Sequence, residues 1–263
     1  KQPDKALTSF LEFYRLALDF EARNDAGAEP LLPYMEMVEN LKDLADYSNQ
    51  WAQWDLMGAP APFGVGVMAD MVDASVNALY ISAPGLFLMD KSYYADEATK
   101  GMLQGAYGQM SANLLMLAGK TEEEAAEIVR QALAFDESLA PYIKSAEEAS
   151  DYTKLYNPTD FSKFAAQVDF IDFAGSLKVL LGAVPSTIVS TDPDYFAALN
   201  KLVNEDTFPA MKSWMLVSTV NSLARYLSDD FRVESGSFAR MLTGTTEAPS
   251  PEKGAYALAS DMF

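Results

Sequence analysis

Two adjacent acidic residues, Asp136 and Glu137, are the first candidates for chemistry in this chain. Paired carboxylates can serve as general acid and nucleophile or base when both flank one substrate bond. The surrounding pattern predicts a helix, and adjacent helical side chains diverge by about 100° around the axis. We therefore interpret the pair as part of a solvated or salt-bridged helix face.

The range Gly64–Ala69 has the G-x-G-x-x-A spacing of a dinucleotide-binding fingerprint, with Asp90 as an acidic residue farther along. That fingerprint binds phosphate where a strand precedes the first glycine and a helix begins at the last position. Pro60 and Pro62 occupy the place of the strand, and proline disrupts strand pairing. We predict no nucleotide site here.

Asp70 and Asp73 offer oxygen ligands of the type that calcium accepts. A calcium loop places more carboxylates at closer spacing and turns at a glycine, which this segment lacks. Aspartate side chains also hydrogen-bond to a turning backbone. The turn is the favoured interpretation.

The sequence contains no histidine and no cysteine. A Ser-His-Asp triad, an HExxH zinc helix, a thiolate metal site and a disulfide framework are therefore all excluded within this chain. We predict no catalytic residue, no metal ligand and no cofactor-binding residue among its 263 residues.

Composition indicates a globular protein with an acidic surface. Hydrophobic residues make up 49% of the chain, and 19 basic against 38 acidic residues give a net charge of −19. Such a charge repels nucleic acid and anionic membranes, so neither is an expected partner. No run reaches the ~20 apolar residues of a membrane span, and the start shows helical spacing rather than a signal peptide.

Apolar residues recur at helical spacing over most of the chain. Thr121 and Glu124 form a capping box, and Pro141 is expected to interrupt the helix that follows. Ser186–Ser190 is β-like, whereas Leu155–Phe164 reads as a loop that enters a helix capped near Thr159. Helices are predicted from Asp4 to about Gly27, from Pro33, over Leu41–Met57 and Asp96–Ala118, up to Gly182, from Asp192 to about Asn204, over Phe208–Leu227 and over Ser228–Leu242.

Pattern alone leaves the apolar segment Phe63–Tyr94 open to two interpretations. Apolar residues between Met68 and Leu79 recur in steps of three and four, which is helical spacing. Alternatively, Phe63–Met68 and Asn77–Ser82 are short strands joined by a turn. Periodicity slightly favours the helix.

The same segment resembles the amino-terminal region of the neprilysin-like zinc endopeptidases, the M13 family, which has two strands there. The turn Met89–Ser92 departs from the family pattern. The resemblance implies a β-hairpin at about residues 63–82. The matching residues are Asp70, Asn77, Gly85, Leu86, Leu88, Tyr93 and Tyr94.

Further matches extend the resemblance over nearly the whole chain, from Lys5 to Phe263. It implies a mainly α fold, a multi-helix lobe of roughly ten helices with one small β-hairpin, formed by residues 1–263 as a single unit. The matching residues are Arg23, Gly27, Pro30, Leu31 and Leu32, the triplet Tyr156–Pro158, and Trp214, Asn221, Phe231, Phe238, Leu242, Gly244 and Thr245.

The resemblance also implies a function. In M13 peptidases the HExxH helix, a downstream glutamate ligand and an asparagine-alanine substrate element all follow this region, so zinc is expected in a catalytic half absent from the chain. This lobe would enclose the active site, admit short peptides and be inactive alone. Its expected partners are the carboxyl-terminal catalytic domain and short peptide substrates, and the isolated fragment is expected to self-associate.

Two further expectations follow. Aromatic side chains at helical spacing belong in the core, although some of them would face the peptide chamber. The aromatic residues in question are Trp51, Trp54, Tyr93, Tyr94 and Trp214.

For the cellular compartment, the sequence does not distinguish the bacterial cytoplasm from the cell surface. The alternative function is a non-catalytic helical module that binds peptides or proteins.

Overall fold

The computed structural model describes residues 5–263, and helices predominate, which confirms the mainly α fold. The structure contains two compact units. The predicted cap Asp4 lies outside the described residues. The first unit comprises the described part of Lys1–Glu36, with Ala106–Ala126 and Thr219–Phe263; the second comprises Met37–Gly105 and Glu127–Ser218.

The first predicted helix is interrupted. Helix α1 covers Lys5–Leu18 and α2 covers Phe20–Ala26. Between them Asp19 leaves the helical conformation and accepts a hydrogen bond from the N–H of Ala22 at 3.1 Å. Aspartate favours such a cap over a helix interior, which explains the break.

The next helices begin and end close to the predicted positions. The predicted capping box forms: the N–H of Thr121 donates to the Glu124 carboxylate, and the N–H of Glu124 donates to the Thr121 hydroxyl. Helix α6 ends before Pro141, as expected. An unpredicted short helix follows, with Ser145 as its cap. The helices are α3 Leu32–Glu39, α4 Leu44–Leu56, α5 Glu97–Leu117, α6 Glu122–Leu139 and α7 Ala146–Ala149.

The remaining helices are α8 Phe161–Ala165, α9 Phe173–Leu181, α10 Pro193–Leu202, α11 Phe208–Leu223, α12 Asp229–Ser235, α13 Ser237–Thr243 and α14 Pro251–Met262. The predicted helix Ser228–Leu242 is divided at Gly236, and α14 was not predicted. Asp160, rather than Thr159, caps α8.

The sheet is larger than the predicted hairpin. Strands β1, Gly64–Ala69, and β2, Asn77–Ser82, form that hairpin in the antiparallel sense. Strands β3, Asn157–Asp160, and β4, Thr187–Ser190, extend it in the order β1-β2-β4-β3, with β2 and β4 parallel. The strand β3 lies where the sequence predicted a loop.

Arg23, one of the matched residues, holds three chain segments of the first unit together. Its guanidinium donates to the carbonyls of Ala17, Arg225 and Leu227, at 2.5, 3.0 and 2.8 Å. It also lies 4.3 Å from the ring centre of Phe20. A planar group with five donors in a fixed geometry can satisfy several carbonyls at helix ends at once.

Within residues 5–263, no helix is both long enough and apolar enough to cross a bilayer.

Candidate functional site

The second unit contains a buried polar cluster centred on Asp136, whose residue is only 1% exposed. Its carboxylate accepts hydrogen bonds from the backbone N–H of Phe87, at 3.1 and 3.2 Å, and from Trp214 Nε1 at 3.0 Å. The hydroxyl of Tyr94 donates a further, short hydrogen bond. We call Phe87, Tyr94, Asp136 and Trp214 the aspartate cluster.

Three elements position this cluster. Asp136 lies on α6, Trp214 lies on α11, and Tyr94 ends a 3-10 helix that Asp90 caps through the N–H of Ser92. The ring of Trp214 stacks on Phe87 at 5.9 Å between centroids. Tyr94 and Trp214, from the two separate stretches that carry the family resemblance, thus converge on one carboxylate.

The prediction that both residues lie on a solvated or salt-bridged helix face is wrong for Asp136 and correct for Glu137. Position 136 follows Ala132 by four residues and precedes Leu139 by three, so it lies on the buried stripe of α6. Glu137 points away and pairs with Lys100 at 2.8 Å. The position of residue 136 on the buried stripe was the signal in the sequence that could have indicated its burial. The two carboxylates point in different directions and do not form a catalytic pair.

Burial raises the pKa of Asp136 to about 6, because removal from water disfavours the ionised form. The hydrogen bonds from Tyr94, Trp214 and Phe87 oppose this rise by stabilising the carboxylate. All of the hydrogen-bond donors to the Asp136 carboxylate come from the protein itself. Asp136 therefore holds chain segments in position and has little capacity left for proton transfer to a ligand.

This raised pKa predicts a pH-dependent contribution to stability. Because the folded state binds the proton more tightly than the unfolded state (pKa 3.8), the contribution is full below about pH 4 and is lost as the pH rises through about 6. The difference in unfolding free energy between the wild type and Asp136→Asn should therefore shrink by about 2–3 kcal/mol between pH 4 and pH 8. Urea denaturation at several pH values measures it; a difference independent of pH would contradict the assignment.

Tyr94 also lines an open pocket of about 580 Å³ in the second unit. Lys91 and Glu137 contribute charges to the same pocket, and both already have ion-pair partners, Glu148 and Lys100. The pocket therefore combines neutralised charges with apolar wall, and its residues do not specify a ligand.

The tryptophans are core residues, as predicted. Trp51, Trp54 and Trp214 are each at most 3% exposed. Tyr93 is 39% exposed and lies at the surface of the second unit.

The remaining candidates form a turn and a strand. Asp70 accepts hydrogen bonds from the N–H groups of Val72 and Asp73, and Asp73 accepts from Ser75, which confirms their role in the turn. The range Gly64–Ala69 is β1, and a turn rather than a helix follows it, so the phosphate-binding geometry of a dinucleotide fingerprint is absent there.

Comparison with known proteins gives consistent results. A model of peptidase family M13 matches residues 1–263. The neutral endopeptidase of Lactobacillus helveticus is 33% identical over 264 residues, a region that covers 100% of this chain and 41% of that protein. The neutral endopeptidase of Lactococcus lactis subsp. cremoris is 31% identical over 261 residues, which cover 98% of this chain and 41% of the relative.

Solved structures agree with the sequence relatives. The crystal structure of PepO from Lactobacillus rhamnosis HN001 superposes with a TM-score of 0.92 and 25% identity, and the match covers 99% of this chain and 42% of that chain. The zinc metalloprotease Zmp1 of Mycobacterium tuberculosis, in its open state, shares the fold with a TM-score of 0.84 and 23% identity, over 95% of this chain and 39% of that one. The chain thus spans about two fifths of the length of these relatives.

Proposed function

Because the chain belongs to peptidase family M13, we propose that it is the substrate-enclosing amino-terminal lobe of a zinc metalloendopeptidase that cleaves short peptides. One observation carries the proposal: the match covers all of this chain but only 41% of a neutral endopeptidase. In this arrangement the lobe forms the wall that admits short peptides and excludes folded proteins. The catalytic residues belong to the carboxyl-terminal half.

Catalytic zinc does not fit the donors of this chain. Zinc in a peptidase takes three protein ligands, typically two histidines and a carboxylate. The sequence has no histidine or cysteine, and residues 5–263 contain no group of three acidic residues that could hold a metal ion. We therefore assign zinc to the carboxyl-terminal half and no ligand to this chain.

An apolar surface on the first unit supports a docked partner. Helices α1 and α14 pack on each other through Ala17, Ala255 and Leu258, yet both also expose large apolar side chains. Leu11 on α1 is 42% exposed. Exposed apolar surface of this kind marks an interaction site, and we propose the catalytic half as its partner. The exposed residues are Leu7 and Leu11, one turn apart on α1, with Tyr256, Met262 and Phe263 at α14.

We expect the isolated chain to self-associate through this surface, because apolar area left bare drives association. Sedimentation velocity at increasing concentration should show a growing oligomer fraction, and Leu11→Glu should reduce it. Leu181→Glu is the matched control, since Leu181 is 45% exposed on α9 of the second unit, close to the 42% of Leu11. A strict monomer at all concentrations would count against the docking surface.

The reading frame that encodes this chain tests the proposal directly. A continuation past Phe263 that contains an HExxH helix supports the metalloendopeptidase. A frame that ends there supports the alternative, a helical binding module without chemistry. Zinc-dependent cleavage of short peptides by the product of that frame is the corresponding biochemical measurement.

A further inference from the structure

Strand β1 is an open edge of the sheet. It ends the strand order, and its pairing with β2 is regular over six residues, without a bulge. Natural edge strands are commonly protected by lysine, proline or a bulge, and the sequence of β1, Gly-Val-Gly-Val-Met-Ala, has none of these. Gly66 adds no side chain and leaves open space beside the backbone.

The hydrogen-bond pattern shows which backbone groups face outward. The N–H of Asp70 donates to the carbonyl of Val76 at 2.9 Å, and Asp70 continues the register of β1. In an antiparallel ladder the residues that bond to the partner strand alternate with residues that face away from it. Counting back from Asp70 in steps of two, Met68, Gly66 and Gly64 bond to β2. Val65 and Val67 alternate with them and therefore face away from β2.

The neighbouring strand confirms this assignment. Ile81 stands opposite Val65, and its carbonyl accepts from the N–H of Thr191 at 2.9 Å, on the β4 side. It therefore does not bond to β1. The N–H and C=O groups of Val65 and Val67 therefore point away from β2, and no turn or loop backbone hydrogen bond reaches them within residues 5–263.

The edge is apolar, and hydrogen bonds anchor the chain at its carboxyl end. Tyr80 accepts from the N–H of Met71 at 3.1 Å, and the Tyr156 hydroxyl donates to Asp70 at 3.0 and 3.2 Å. Val67 and Met68 are about half exposed, at 52% and 53%. A preorganised strand loses little conformational entropy when another strand pairs with it.

Negative charge is concentrated at one end of this edge. Hydrogen bonds from the backbone of Asp73 and Val72 hold the pKa of Asp70 below its usual value. A hydrogen bond from the Ser75 hydroxyl does the same for Asp73. Both carboxylates are therefore ionised at neutral pH, at the carboxyl end of β1.

We propose that β1 binds an extended peptide by antiparallel strand addition, with apolar or β-branched residues beside Val65 and Val67 and a positively charged amino end beside Asp70 and Asp73. Strand addition derives affinity from backbone hydrogen bonds and specificity from alternate side chains. Antiparallel pairing places the amino end of the peptide at the carboxyl end of β1, where the carboxylates lie. The inference rests on the proposed function and names the class of peptide.

The test uses the peptide Lys-Val-Thr-Val-Thr-Val, labelled at its carboxyl end, and fluorescence anisotropy with the purified chain. Two versions carry N-methyl groups, one at positions 2 and 4 and the other at positions 3 and 5. If the peptide adds to β1 as a strand, the methyl groups of one version replace two N–H groups that bond to β1, and those of the other version point away from it. The first version should therefore bind about tenfold or more weakly, while the other binds like the parent. Equal binding by both versions would overturn the proposal.

Variants of the chain give an independent check. Val67→Pro removes an outward N–H without touching the bonds to β2 and should weaken binding about tenfold. Val67→Thr keeps the N–H and the β-branched shape and should bind normally. Asp73→Asn keeps an oxygen acceptor for the turn but removes the negative charge, so it should weaken binding of the lysine peptide a few-fold. It should leave unchanged the binding of an acetylated peptide that has norleucine in place of lysine. Circular dichroism verifies that each variant is folded.

The outcomes separate the two proposals. If the full reading frame encodes HExxH but the peptide does not bind β1, strand addition fails and the peptidase assignment stands. If the peptide binds and the frame lacks HExxH, strand addition stands and the peptidase assignment fails. If the chain forms a dimer that Val67→Pro dissociates, and the peptide does not bind, then β1 pairs with a second copy of this chain. That result would overturn the proposal.

Discussion

Replacement of Asp136 with alanine is expected to lower the free energy of unfolding by about 3 kcal/mol or more, because several donors lose one shared acceptor. The substitution leaves the N–H of Phe87, the indole N–H of Trp214 and the hydroxyl of Tyr94 without their acceptor. Each buried donor without a partner costs about 1–3 kcal/mol. Urea denaturation followed by circular dichroism measures the loss.

Two controls separate the cluster from general damage to α6. Glu137→Ala removes the neighbouring carboxylate, whose side chain is 43% exposed, and should cost less than about 1 kcal/mol. Tyr94→Phe removes one donor and keeps the ring, so we expect a loss of about 1 kcal/mol. If Asp136→Ala were no more harmful than Glu137→Ala, the aspartate cluster would not stabilise the second unit.

Features with a local cause could be predicted from the sequence. The capping box at Thr121 depends on residues within one helical turn, and the end of α9 depends on Gly182, whose φ is 75°. Both were predicted correctly. The turn at Asp70 is equally local, since its acceptor bonds reach only two and three residues ahead.

Features with a distant cause could not be predicted in this way. Strand β3 forms where β4 supplies a partner, and the side chain of Asn157 donates to the carbonyl of Ser190 at 3.0 Å. The segment by itself contains a proline and reads as a loop. Likewise, Asp136 is satisfied by residues 42 to 78 positions away in the chain, so its neighbours in sequence reveal its burial but not its partners.

The family resemblance and the structure meet at the aspartate cluster and at Arg23. The matched residues Tyr94, Trp214 and Arg23 each contact groups distant in sequence, and each connects elements within one unit. These matches therefore report how the chain is held together. They do not report chemistry, in agreement with the proposal that the reaction takes place on residues of the carboxyl-terminal half.

The purified chain alone is expected to show no peptide hydrolysis, whereas the complete reading frame should hydrolyse short peptides in a zinc-dependent manner. Peptide hydrolysis at neutral pH needs an activated water, and zinc supplies one by lowering the pKa of the bound water to about 7. Catalytic zinc is typically held by histidine or cysteine together with a carboxylate, and the sequence has no histidine and no cysteine. Enzymes of this kind exceed the uncatalysed rate by about a millionfold or more, so the contrast should be unmistakable.

Mass spectrometry of a short-peptide mixture, incubated with zinc and either protein, measures this contrast. The complete product treated with a zinc chelator is the matched control and should fall to the level of the chain alone. Turnover by the purified chain that persists through repeated purification would overturn the assignment of the chemistry to the other half. Turnover that appears only when the chain is mixed with a separately expressed carboxyl-terminal half would instead show that the lobe completes the enzyme by docking, because neither piece would then provide both the zinc ligands and the enclosing wall.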